Sequence, residues 1–152
     1  MMTTNAENES LWPIGVCPNL GMALPDDMVA LTLHRDQYGP PGEVVKLEKI
    51  SRPRLGPVDG NRVLVAILAT GPNFNTNFAA LGLPVPVFGK GDSATIHIPG
   101  SDALGIVVDA GPVVTRVKVG QAVILDSWTR RNVIRGYETH DGFNAQFAVV
   151  DE

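Results

Sequence analysis

Cysteine is almost absent: Cys17 is the single one in 152 residues. A lone thiol cannot close an internal disulfide or supply the several thiolates of a structural zinc site, and a reducing cytoplasm is the expected compartment. The N-terminal stretch MMTTNAENESLWPIGVCPNLGMALP lacks a basic n-region and is interrupted by proline, so it does not read as a signal peptide. No apolar run nears the roughly 20 residues needed to cross a bilayer, and no membrane partner is expected. Charge is scarce, at 18 % of residues, and the net balance of −4 argues against nucleic acid, whose partners carry clustered basic faces. Arg130, Arg131 and Arg135 form the only basic cluster. No G-x-G-x-x-G turn occurs in the sequence; without that pyrophosphate cradle, no cofactor is expected on this chain.

Glycine and proline are plentiful. With 16 glycines, 12 prolines and 44 % hydrophobic residues, the composition suits a turn-rich β protein rather than a helical bundle. A chain of this length forms one domain and can bury about two thirds of its unfolded surface. Residues 1–25 begin polar and continue apolar but broken by Pro13, Pro18 and Gly21, which reads as an extended arm; residues 26–152 form the main domain. MVALTLH (28–34) alternates as a half-buried strand should, and EVVKLEKI repeats the pattern after QYGPPG, so the two are expected to pair. RVLVAILAT is continuously apolar and β-branched, as suits a strand covered on both faces. FAALGL predicts a helical turn ended by Gly82, and PVPVFGKGDSAT a loop. IHIPGSDALGIVVDAG gives a short strand, a tight turn and a strand, AVILD another, and NAQFAVVDE the last. Six or seven short strands with few helices imply a small barrel or sandwich.

At PGSDALGIVVDAGPVVTRVKVGQAVI (99–124), the spacing of Gly100, Asp102, Gly105, Val107, Gly111 and Gly120 resembles the catalytic domain of the medium-chain dehydrogenase/reductase superfamily. LPDDMVALTLHRD, GPNFNTNFAALG and RGYETHDGFNAQFAVV narrow the resemblance to crotonyl-CoA carboxylase/reductases over roughly residues 23–150. It implies a mainly β fold, a GroES-like, partly open β-barrel with one or two short helices. It also implies that the N-aromatic-N tripeptide Asn73-Phe74-Asn75 and the segment Gly136-Tyr137-Glu138-Thr139 line an acyl-CoA and carbon dioxide site. The sequence departs from the family pattern in several places. Gln121 stands where the family usually has aspartate, and DSWTRRNVIRG is shorter than the family's insertion. The nucleotide-binding half, the returning barrel segment and a histidine contributed by that later part have no counterpart here. Zinc-dependent members place cysteine and histidine where this sequence has Asn73 and Ser101; amide and hydroxyl groups are poor zinc ligands, so no metal is expected.

Three amides in an apolar setting are costly unless satisfied. From the residues alone the amides would cap the FAALG turn or hold the loop backbone; that reading is kept for Asn77, whereas the resemblance assigns Asn73 and Asn75 to a ligand carbonyl or carboxylate. Glu138, beside Tyr137 in a nonpolar stretch, suits proton transfer if desolvation raises its pKa; a solvated turn glutamate is the equal alternative. Asp102 is either a second acid/base group or a support for the Gly100 turn. Phe74 and Tyr137 would wall the pocket, with Ser101, His140 and Trp128 as further substrate contacts. His34 and His97, in alternating strands, read as surface or core-edge side chains.

The MMTTNAENES start and polar Asp151-Glu152 end read as those of a complete gene product. The resulting expectation is a stand-alone, non-redox acid/base enzyme, a cyclase, isomerase or lyase, acting on a polyketide-like or acyl substrate, with a possible homodimer covering the open side. The alternative is the catalytic-domain part of an NADPH-dependent enoyl-CoA carboxylase/reductase whose nucleotide-binding half lies elsewhere. A non-catalytic binding protein is the third reading.

Overall fold

A computed structural model describes residues 13–152. Seven strands and two short helices follow one another as β1 (Asp27–His34), α1 (Pro41–Val44), β2 (Lys46–Ser51), β3 (Arg62–Thr70), α2 (Phe74–Leu81), β4 (Ile96–His97), β5 (Ala103–Ala110), β6 (Ala122–Leu125) and β7 (Phe147–Asp151). They make two antiparallel sheets, β2-β1-β4 and β6-β5-β3-β7. This is the mainly β, partly open barrel that the sequence implied. A single bridge between Ala30 of β1 and Ala145, just before β7, stitches the sheets together.

β3 is the central strand, and its unbroken apolar run has a physical reason. Val63 and Val65 point into a core with Val107, Leu125, Phe143 and Val150, whereas Leu64 and Ala66 point the other way, onto Met28, Ala30 and Phe147. Because side chains alternate along a strand, a strand buried on both faces has no polar register to offer. β1 and β2 pair from Asp27↔Ser51 to Thr32↔Lys46. The expected strand at EVVKLEKI is shorter than its pattern: Pro41 at the first helical position starts one turn of helix, and β2 begins only at Lys46.

α2 has eight residues, too few to hold a helix by itself. Asn73, extended at φ −141°, caps its start, and Gly82, at φ +66°, ends it in the left-handed conformation that glycine adopts without penalty. Ala79 and Ala80 are fully buried against Leu33 of β1, with Tyr137 packed alongside. Leu33 is also the register partner of His97. One strand therefore fixes both the helix and the histidine.

Residues 13–26 hold no strand or helix up to Asp26. Leu24 packs on the second core while Ile14, Leu20 and Met22 stay exposed. The first half of the expected arm, residues 1–12, lies outside the described residues.

Candidate functional site

The amide-rich stretch sits where β3 ends and α2 begins. Asn73 accepts the Asn75 backbone N–H at 3.0 Å with its side-chain oxygen. Its Nδ2 then donates to Ser101 Oγ at 2.8 Å and to the Asp102 carboxylate. A backbone donor on one side and a carboxylate on the other leave this amide a single orientation. The cap is thus Asn73, not Asn77: the helix starts at Phe74, one turn earlier than FAALGL suggests, and Asn77 falls on its exposed face. Asn75 Nδ2 reaches the same Ser101 oxygen at 3.4 Å. Ser101 is 1 % exposed and takes both amide donors, so its own hydroxyl proton remains available. Donor capacity of this kind suits a carbonyl or carboxylate oxygen.

A glycine contact brings a second segment to this cluster. A Cβ on Gly136, whose φ is +67°, would overlap the backbone of Gly100. The two chains therefore cross at van der Waals distance, one leading into Ser101 and Asp102 and the other into Tyr137 and Glu138. The crossing is held by Phe143 N–H donating to the Gly100 carbonyl at 2.8 Å and Asn144 N–H to Pro99 at 3.0 Å.

Tyr137 donates its hydroxyl to the Leu83 carbonyl at 3.0 Å, just beyond α2. Glu138 folds back on its own turn: Oε2 accepts Ile134 N–H at 2.7 Å, and its backbone N–H reaches the Ile134 carbonyl at 2.8 Å. It is exposed, so the desolvated setting expected from its neighbours is not there. Phe74 is 76 % exposed, with Phe78 stacked beside it at 6.2 Å. Asp102 is exposed as well, with its backbone carbonyl holding Gly71 N–H at 3.1 Å. Among the described residues no hydrogen bond joins Glu138 to the Asn73–Asn75–Ser101 cluster.

His140 does not stand free in a cleft. Its Nε2 meets the Asp92 carboxylate at 2.5 Å, its Nδ1 meets His97 Nδ1 at 3.0 Å, and Phe88 stacks on its ring at 5.2 Å. His97, expected at the surface or core edge, is fully buried and its Nε2 contacts the Gly136 carbonyl at 3.1 Å. Burial first, and the charge of His140 second, push the His97 pKa down to about 4. The Ala94 N–H and then His140 hold the Asp92 carboxyl below its ordinary value. Trp128, half exposed, lines a different cleft of about 610 Å³ with Arg116, Arg130, Val123 and Glu152. Among the described residues no group of three or more histidine, cysteine or acidic side chains gathers as a metal site.

The alcohol dehydrogenase GroES-like domain family matches residues 59–152. The chain belongs to that family. A crotonyl-CoA carboxylase/reductase of Cereibacter sphaeroides is 37 % identical over 96 % of this chain and 36 % of its own length. A solved crotonyl-CoA carboxylase/reductase superposes with a TM-score of 0.80 at 35 % identity, over 94 % of this chain and 36 % of that one. The enzyme AntE, a crotonyl-CoA carboxylase/reductase in complex with NADP, gives 0.77 at 34 % identity, over 94 % and 39 %. The chain thus spans a little over a third of the length of these relatives.

Among the described residues two strands lead into helices, β1 into the single turn α1 and β3 into α2; at the second, Asn73 already occupies the Asn75 N–H that a phosphate would need. Gly89 to Ala94, the nearest approach to a glycine-rich phosphate loop, is followed by β4 rather than by a helix. Sequence reasoning missed Asp92, Phe88 and the burial of His97. These residues lie 39 or more positions before Gly136 and His140, and Phe88 and Asp92 are in a loop with no periodicity to read.

Proposed function

We propose that this chain is the acyl-thioester-binding portion of an enoyl-CoA carboxylase/reductase, an enzyme that adds a hydride and carbon dioxide across an activated double bond. The observation that carries it is the single orientation of Asn73, which aims Asn75 and Ser101 as hydrogen-bond donors at the start of α2. Donors fixed before the substrate arrives stabilise the oxygen of an enolate at no cost in reorganisation. Adding the hydride creates that enolate, and capturing carbon dioxide discharges it. Glu138 keeps Oε2 on Ile134 N–H, and its exposed carboxylate is assigned to the rim of the site beside Tyr137. Phe74 and Tyr137 supply apolar wall, and Asp102 holds Asn73 rather than exchanging protons.

The described residues do not fit NADP: the Asn75 N–H at the start of α2 is already taken by Asn73, and the Gly89–Ala94 loop runs into β4 rather than a helix. The stand-alone cyclase, isomerase or lyase has no support from the relatives, whose names are those of carboxylase/reductases. No residue here singles out a polyketide-like substrate. Homodimerisation remains part of the proposal, because Ile124, 87 % exposed, and Trp128 leave apolar surface beside the β6 edge. Calorimetry with crotonyl-CoA tests the reading: micromolar binding by the chain, weakened about tenfold or more by Asn75→Ala, is expected. Equal binding by chain and variant would remove the amide from the site.

A further inference from the structure

Four ring nitrogens of two histidines meet three hydrogen-bond demands. The Gly136 carbonyl can only accept, so His97 Nε2 carries a proton. The Asp92 carboxylate accepts from His140 Nε2, which carries another. The two Nδ1 atoms are 3.0 Å apart, and such a contact needs one N–H between them. Turning either ring over would place carbon atoms at these contacts, so the ring orientations are fixed. The count is three N–H groups, and two neutral imidazoles hold only two.

The geometry points to a singly charged His97–His140 pair that positions the turn bearing Tyr137 and Glu138. His97 holds the first residue of that turn, Gly136, and His140, its last, is tied to Asp92. Ile98 N–H donates to the His140 carbonyl at 3.0 Å and secures the same end. Removing the shared proton leaves two donors for three contacts, so the pair gives up its mutual bond, Gly136 or Asp92.

Of the two rings, His140 is the one hydrogen-bonded to a carboxylate, whereas His97 meets the neutral Gly136 carbonyl. His97 is fully buried and resists protonation. His140 faces Asp92 from the loop before β4 and lies against the Phe88 ring. Arg35, just after β1, approaches Asp92 to 3.9 Å and lies over the Phe88 ring at 5.0 Å, so it competes for the same carboxylate. On the turn itself Asp141 is paired with the buried Arg135 at 2.5 Å.

Only the importance of Glu138 rests on the function proposed above; the proton count does not. The test is therefore a pH titration of the full chain labelled with ¹⁵N-histidine, read by long-range proton–nitrogen NMR. Three N–H groups across the pair are expected, and the amide signals of Gly136, Tyr137 and Glu138 should move in the step where one is lost. Two N–H groups, with the turn amides unchanged throughout, would overturn the inference. In His140→Gln the turn amides should no longer follow that step, and persistence of the step would equally overturn it. If that variant does not fold, the titration of the unaltered chain still decides. A wrong substrate assignment would leave all these signals as they are.

Discussion

Gly100 and Gly136 pack backbone to backbone, with the left-handed φ of Gly136, +67°, placing its missing side chain on the Gly100 peptide. This contact joins the Ser101–Asp102 segment to the Tyr137–Glu138 turn, two stretches between which no side-chain hydrogen bond runs among the described residues. A Gly136→Ala variant pays for both the left-handed backbone and the overlap, so it should lose about 3 kcal/mol of stability. Urea denaturation measures it. A loss under about 0.5 kcal/mol would mean that the crossing is looser than described.

The three asparagines should separate cleanly. Asn73→Ala removes the α2 cap at a cost of about 1 kcal/mol, takes the amide donor from Asp102 and leaves Ser101 with the Asn75 amide alone. Both stability and acyl-CoA binding should suffer. Asn75→Ala should spare stability and weaken binding. Asn77, exposed on α2, should tolerate alanine with a change within about 0.7 kcal/mol, as helix propensity alone dictates. Thermal melts and calorimetry on the three variants check the pattern, and a destabilised Asn77→Ala would contradict the assignment of the cap.

Stability should fall on mild acidification. His97 has a folded pKa of about 4, below its ordinary 6.5, so the unfolded chain binds its proton first. The neutral, buried form stabilises the fold fully above pH 6.5, and that contribution is lost as pH falls towards 4. The shift corresponds to about 3 kcal/mol at 1.36 kcal/mol per unit. Urea unfolding at pH 7, 5.5 and 4.5 should show the decline, and His97→Gln should flatten it. An equal decline in the variant would assign the acid sensitivity to the carboxylates instead.

Much of the fold was legible because its strands carry strong periodicities. β1 alternates, β3 is apolar throughout because it is buried on both faces, and Gly82 marks the end of α2 by its backbone. The single turn of α1 was hidden because Pro41 and Gly42 read as loop until Lys46 extends the chain. In the site, Asn73 and Asn75 were visible as unusual amides, but which of them caps depends on where an eight-residue helix starts, and so short a helix has almost no period. The Asp92–His140–His97 chain was invisible, since its members meet only through the pairing of β1 with β4 and the bridge between Ile98 and Asp141. Glu138 looked desolvated among apolar neighbours in sequence, whereas in the fold its carboxylate turns outward to Ile134.

Tyr137 ties the turn to the end of α2 through a single hydroxyl bond to Leu83. Tyr137→Phe should cost about 1 kcal/mol of stability and reduce acyl-CoA binding only modestly, because the ring keeps its packing on Ala79 and Ala80. Hydrogen exchange at Glu138 and Leu83 should rise together. Faster exchange at neither residue would mean that the bond contributes nothing to the turn.

The central claim, that this chain supplies the acyl-thioester half of a carboxylase/reductase, is tested most directly in a chimera. The chain would replace the matching segment of the Cereibacter sphaeroides relative, and NADPH oxidation would be followed with crotonyl-CoA, with and without carbon dioxide. The account predicts oxidation that depends on crotonyl-CoA and, with carbon dioxide present, a carboxylated, saturated acyl-CoA seen by mass spectrometry; the chain alone should consume no NADPH. A folded, NADPH-binding chimera without turnover, or an isolated chain that transforms the acyl-CoA unaided, would contradict it.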